Sequence, residues 1–160
     1  MRGRNHAPEH LWCRAADCLG AVRAAAAPAL ARRAERFTLR TDLLPTVSGR
    51  PLCVAHNDLS VEHILLDAET RLPTGVIDWT DIRIVDPAID FAGLCNWLGE
   101  NFVKKTLEHY GGEADDGLVR RARFIAACFA YIDVHYCHLT AKPETLERGL
   151  RALERDLPNE

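Results

Sequence analysis

What this 160-residue sequence lacks sets its first limits. No apolar run approaches the roughly 18–20 residues of a membrane span. The opening MRGRNHAPEHLW has the positive charge of a secretion leader but no apolar stretch behind it. The six cysteines (Cys13, Cys18, Cys53, Cys95, Cys128 and Cys137) form no CxxC pair and no compact framework. Buried thiols in a reducing compartment are expected, not a disulfide scaffold. An excess of positive charge is missing too: 20 Lys+Arg stand against 23 Asp+Glu, a net −3. That balance does not suit a nucleic-acid binder. The reading at this level is a soluble, cytoplasmic protein with no nucleic-acid and no membrane partner.

The chain has ordinary globular content, 48% apolar and 27% charged, in one domain's length, 1–160. Charge is unevenly placed: residues 1–50 carry 9 basic and 4 acidic side chains, and 51–160 carry 11 and 19. Residues 8–40 read as helices divided at Pro28, with Leu11, Ala15, Cys18, Leu19 and Val22 at helical spacing. Thr41–Pro51 is turn-rich and reads as a connection. A short apolar run from Leu52 to Ala55 follows, and then two strand-like runs, Ile64–Leu66 and Val76–Trp79, joined by DAETRLPTG as a hairpin. DPAIDFAGLCNWLGENF reads as a helix from about Pro87 with Asp86 as its cap. Gly111-Gly112 breaks the chain, and Asp115 or Asp116 can cap a long helix from Gly117 to about Leu139. Its core face is Leu118, Ala122, Ile125, Phe129 and Ile132, and a last amphipathic helix starts at Pro143. The fold class is mainly α with a small β hairpin (α+β): leading helices over 1–50, a β-bearing core over 52–94 and a helical tail over 95–160.

Polar residues crowd the ends of the strand-like runs: His56, Asn57 and Asp58, then His63, then Asp78 and Asp81. A hairpin can bring Asp58, His63 and Asp78 together. Two carboxylates and an imidazole at one point can hold a divalent cation, or one acid can stay free as a general base. Phosphoryl transfer uses both arrangements together.

The string HNDLSVEHILLD followed by GVIDWTDIRIVDPAIDFAGL resembles the catalytic core of the aminoglycoside phosphotransferase and choline kinase-like family, relatives of the protein kinases. The family's pattern is H-x-D-x-x-x-x-N, a short strand, I-D-[WF], then D-P-x-x-D, and the strong match spans about 52–94. The resemblance implies the large C-terminal lobe of a kinase-like fold and a nucleotide-dependent phosphotransferase. Such an enzyme moves a γ-phosphoryl group from ATP or GTP, with Mg²⁺, to a hydroxyl of a small molecule such as an aminoglycoside or macrolide. It implies Asp58 as the catalytic base and Asp78 as the Mg²⁺ ligand. His56 is implied as a residue that fixes the loop, Asp90 as its brace, and Leu65 and Ile77 as an apolar floor under the nucleotide base. His63 stands where most members have Asn as second metal ligand. Histidine there, with HND for HGD, also occurs in relatives acting on the 2″-hydroxyl of aminoglycosides or on macrolides. In the 2″ relatives the acid at Asp81's place contacts an amino group of the substrate, and Glu100 is a candidate second acid.

Plainer readings stand beside these. His63 also fits a half-buried histidine bonded to a loop, Asp81 a solvated turn, and Asp86 and Asp90 structural acids. His135, Cys137 and His138 lack a fourth metal ligand at suitable spacing. Arg120, Arg121 and Arg123 read as a solvated helix start. Arg32, Arg33 and Arg36 pair with acids of the second half or face water, and Trp97 and Phe102 read as core. Nothing before His56 offers strand alternation, a glycine-rich loop or a lysine, the first being Lys104. The small N-terminal lobe of the family is thus absent from this sequence. A second function therefore stays open, a truncated or remnant lobe without catalysis. A third is a metal-dependent hydrolase using His56, Asp58, His63 and Asp78.

Overall fold

The computed structural model describes residues 8–40, 52–111 and 117–157. The connection expected at Thr41–Pro51 and the cap expected at Asp115 or Asp116 lie outside the described residues. Three helices lead: α1 (Pro8–Asp17), α2 (Leu19–Ala25) and α3 (Pro28–Leu39). Leu11, Ala15 and Val22 are fully buried, and Pro28 opens α3, where its missing N–H would have had no helical partner.

The long helix α6 (Leu118–Thr140) is the axis of the core. It packs against α1, α2, α5 (Glu100–Leu107), α4 (Ala88–Leu98) and α7 (Pro143–Asp156). Burial is not confined to the expected stripe. Ala126, Ala127, Cys128, Ala130, Tyr131 and Val134 are buried with Leu118, Ala122 and Ile125, as suits a helix surrounded by others. Phe129 and Ile132, expected in the core, are only half-buried. Small residues let the helices approach closely: a Cβ on Gly149 of α7 would stand 2.9 Å from Val134 Cγ2. Tyr131 donates its hydroxyl to the Ala34 carbonyl at 2.7 Å, and Phe37 packs its ring on Phe124 and Tyr131, fastening α3 to α6.

The sequence pattern suggested one helix from Pro87 past Gly99. Instead α4 ends at Leu98, because Gly99 adopts φ +85, and α5 begins at Glu100. The β portion also differs. The described residues form two antiparallel ribbons: β2 (Ile64–Leu66) pairs with β3 (Pro73–Val76), and β1 (Cys53–Ala55) pairs with β4 (Arg83–Val85). β4 was not expected, and Trp79 lies in a 3₁₀ turn (Trp79–Asp81), not at a strand end. β3 ends at Val76, three residues before Trp79, and Asp78 turns left-handed at φ 62.

Several surface expectations are corrected. Arg121 is 1% exposed and grips Asp86 with both Nε (2.6 Å) and Nη2 (3.1 Å). Asp86 Oδ1 also accepts the Ala88 N–H at 2.9 Å, so one carboxylate caps α4 and ties it to α6. Arg33 donates to the backbone carbonyls of Glu154 and Leu157 at the end of α7. Phe102 is 42% exposed. Cys137 is buried while His138 is exposed, so they do not face one point. All six cysteines are free, and burial pushes the Cys95 thiol up to about 12, an unreactive group. Among the described residues no helix is long and apolar enough to cross a membrane.

Arg121→Met should strand the Asp86 carboxylate and cost about 3–5 kcal/mol. Urea titration of the two chains measures it, and a loss under about 1 kcal/mol would mean that this pair does not hold α4 on α6.

Candidate active site

The site begins where β1 ends. The next residues, His56-Asn57-Asp58, cross the first turns of α4, and Asp90 holds them there. Its Oδ2 accepts the His56 N–H and its Oδ1 the Asn57 N–H, both at 2.8 Å. Neighbouring amides can share one carboxylate because Asn57 adopts φ +67, a conformation that Asn tolerates better than most residues. Burial raises the Asp90 carboxyl above its ordinary range, while the two amides pull it down. The next stretch of the loop lies directly on the helix. A Cβ on Gly93 would fall 1.6 Å from the Leu59 carbonyl oxygen, so only glycine fits.

His56 is 2% exposed and uses both ring nitrogens on backbone. Nε2 donates to the Ile77 carbonyl at 2.8 Å, and Nδ1 accepts the Asp58 N–H at 3.4 Å. It thus joins the β1 loop to the end of β3, with Trp79 (4.8 Å) and His63 (5.4 Å) packed on its ring. A histidine so engaged has no lone pair for a metal, which removes one of the four ligands of the hydrolase alternative.

His63 closes the other link. It ends a 3₁₀ turn (Val61–His63) just before β2, and its Nδ1 donates to the Asp58 carbonyl at 2.7 Å. In the neutral ring Nε2 then carries the lone pair, and it lies 3.9 Å from Asp78 Oδ2. The other oxygen of Asp78 accepts the Thr80 hydroxyl at 2.8 Å. The backbone carbonyl of Asp58 and the carboxylate of Asp78, twenty positions apart, therefore meet on one imidazole. A carboxylate oxygen and an imidazole nitrogen facing one gap, each fixed from behind, suit a divalent cation that takes its remaining ligands from phosphate and water. Among the described residues no cluster of three or more His, Cys, Asp or Glu side chains could hold a metal by itself.

Leu65 and Ile77 are 47% and 45% exposed on the β2–β3 ribbon, and strand alternation sets both opposite Ile64 and Val76. Asp81 is half-buried in the turn after Asp78. Glu100 stands apart. Lys104 (2.5 Å) and Arg123 (2.9 Å) both pair with it, and the Lys104 hydrogen bond leads in holding its carboxyl below the ordinary range.

Asp58 and His63 also border a cavity of about 480 Å³ whose far walls are α4, α6 and α7. Neither Asp78, Asp81 nor Glu100 lines it. The sequence reading missed Asn96, Trp97, Asp133 and Arg148 of this wall, which sit on helices read as core or tail. The available signal was Asp133, an acid next to Ile132 on an otherwise apolar stretch. Asn96 Nδ2 and Arg148 Nη2 each donate to its Oδ2 at 3.0 Å, and burial raises its carboxyl against the pull of Arg148.

Residues 2–125 match the model of the phosphotransferase enzyme family. The chain is 34% identical over 120 residues to the viomycin phosphotransferase of Streptomyces vinaceus, covering 74% of this chain and 40% of that protein. Among solved structures, the GDP complex of aminoglycoside 2′-phosphotransferase-IIIa superposes with a TM-score of 0.62 at 21% identity, over 90% of this chain and 50% of its own. Macrolide 2′-phosphotransferase type I gives 0.54 at 26% identity, over 96% and 50%. The chain thus spans half or less of the length of these relatives, and the shared half is consistent with the mainly helical C-terminal lobe.

Asp90→Asn keeps one acceptor for two amides and sets an NH₂ against the other. The expected cost is about 2 kcal/mol, with faster hydrogen exchange at His56 and Asn57 read by NMR. Unchanged protection of both amides would show that the loop is held elsewhere.

Proposed function

This chain belongs to the phosphotransferase enzyme family, and from that premise we propose that it moves the γ-phosphoryl group of ATP or GTP to a hydroxyl of a small molecule of the aminoglycoside or macrolide kind. The observation that carries the reading is His63, which links the backbone of Asp58 at 2.7 Å and faces the carboxylate of Asp78 at 3.9 Å. The arrangement has two sides. The cavity is lined by Asp58 but not by Asp78, Leu65 or Ile77, so the cavity is assigned to the acceptor and the exposed apolar residues of the ribbon to the nucleotide.

Asp58 takes the proton of the acceptor hydroxyl as the O–P bond forms and the bond to the leaving nucleoside diphosphate breaks. Asp78 and His63 Nε2 are the residues that would hold Mg²⁺, which supplies neutralisation of phosphate charge when bound. His56 and Asp90 keep Asp58 in place through backbone and do not touch substrate. Leu65 and Ile77 receive the nucleotide base. Asp81, which does not line the cavity, is assigned from the family resemblance a contact to an acceptor amine that extends beyond it, and Glu100, committed to its two ion pairs, has no part. The GDP bound in one solved fold relative supports a nucleotide as donor. The exposure of Leu65 and Ile77 favours one competing reading, a lobe that binds nucleotide too weakly to transfer.

The test is transfer by the purified chain with Mg²⁺, ATP or GTP, and a panel of aminoglycosides and macrolides. Asp58→Asn should lower the rate about 10²–10⁴-fold while leaving nucleotide affinity in place. Equal rates in the two chains would sink the assignment. Asp78→Asn should abolish the Mg²⁺-dependent part of nucleotide binding in calorimetry. No Mg²⁺-dependent binding by the wild-type chain would decide for the non-transferring lobe.

A further inference from the structure

Two side chains expected inside the helix bundle open instead onto the cavity beside Asp58. Phe129 and Ile132 pack in part on the core, are only half-buried, and line this cavity, as does Tyr136, which is 48% exposed. Spaced by three and then four residues, the three form one stripe of α6, about 10 Å long at the helical rise. Ile89 and Trp97 of α4 line the same space. So does Leu59, next to Asp58 in the chain, and the apolar wall therefore continues up to the proposed base. An occupant that takes this surface out of water gains in proportion to the apolar area it covers.

The charges of the wall do not make it a site for a polycation. Asp133, on the same stripe, already accepts from Arg148 and Asn96, both at 3.0 Å. Asp58 and Glu62 share the wall with Arg14. The Tyr136 ring carries the Lys142 ammonium 5.4 Å from its centroid, and that charge repels a second cation there. A polyamine would set ammonium groups, stripped of water, against Phe129 and Ile132, whereas an aliphatic face is buried there at no such cost.

We propose that Phe129, Ile132 and Tyr136 form an apolar subsite that determines acceptor specificity: it takes the methyl-bearing face of a molecule with few charges, leaves its hydroxyl edge to Asp58, and disfavours polyamines. Of the two acceptor kinds named above, the macrolide kind fits. The inference deepens, and rests on, the reading of this cavity as the acceptor site.

The test is calorimetry on the full chain with erythromycin, which has a methyl-bearing ring and one amine, and with the polyamine kanamycin. Erythromycin should be the tighter ligand of the unaltered chain by about tenfold. Ile132→Ala and Tyr136→Ala should each weaken erythromycin about three- to tenfold and change kanamycin by less than about twofold. Tyr136 is the more exposed of the two, so its variant serves where Ile132→Ala fails to fold by circular dichroism. Erythromycin affinity that a folded variant leaves unchanged, equal weakening of both probes, tighter kanamycin, or no saturable binding of erythromycin overturns the subsite. The phosphotransfer reading fails separately, by equal transfer rates of the unaltered chain and Asp58→Asn, a result that the two binding curves do not decide.

Discussion

One carboxylate organises this molecule's chemistry. Asp90 takes the amides of two consecutive loop residues onto its two oxygens, and from that grip the rest of the site follows in order. His56 is placed to reach Ile77, so the end of one ribbon is tied to the start of the other. Asp58 is placed to offer its carbonyl to His63, and His63 is thereby turned with Nε2 towards Asp78. A charged acceptor bonded to backbone donors is worth more than a neutral one. The main chain of Asp58 is bonded on both sides, its N–H to His56 Nδ1 and its carbonyl to His63 Nδ1.

The electrostatics divide along the same line. Carboxylates that serve structure are matched by buried or clamped partners: Asp86 by Arg121, Glu100 by Lys104 and Arg123, Asp133 by Arg148 and Asn96. Asp78 is different: half of its side chain is exposed, and its one ion-pair partner among the described residues is a histidine that uses its other nitrogen on backbone. A carboxylate left in that state has charge to spend on an incoming cation. Part of the acidic excess of residues 51–160 is thus taken up by paired carboxylates.

The sequence was most legible where a side chain's chemistry is unusual for its setting. HNDLSVEH and VIDW stood out as polar residues at the ends of apolar runs, and those residues converge. Leading and trailing helices were legible through proline starts and apolar spacing. The two-ribbon arrangement was not, because three-residue strands with exposed Val54 and Ile84 carry no alternation to read. Arg121 was misread as solvent-facing because arginine patterning does not reveal a buried carboxylate thirty-five positions away. The cavity wall stayed hidden for a related reason. It is assembled from α4, α6 and α7, and no local pattern reports which half-buried side chains of separate helices will share a space.

The missing side chain at position 93 has a mechanical meaning. With the Leu59 carbonyl lying where a methyl group would be, the loop has no cushion between it and the helix below. Three residues earlier the same helix grips His56 and Asn57, so the loop is registered against α4 at two points and moves as part of it. Any substitution that slides α4 along α6, even one far from the phosphate side, would displace Asp58 by nearly the same amount. Displacements near 1 Å can cost about 100-fold in a transfer reaction. Damage to the helix seam would therefore surface first as a well-folded but sluggish protein, and only later as an unstable one.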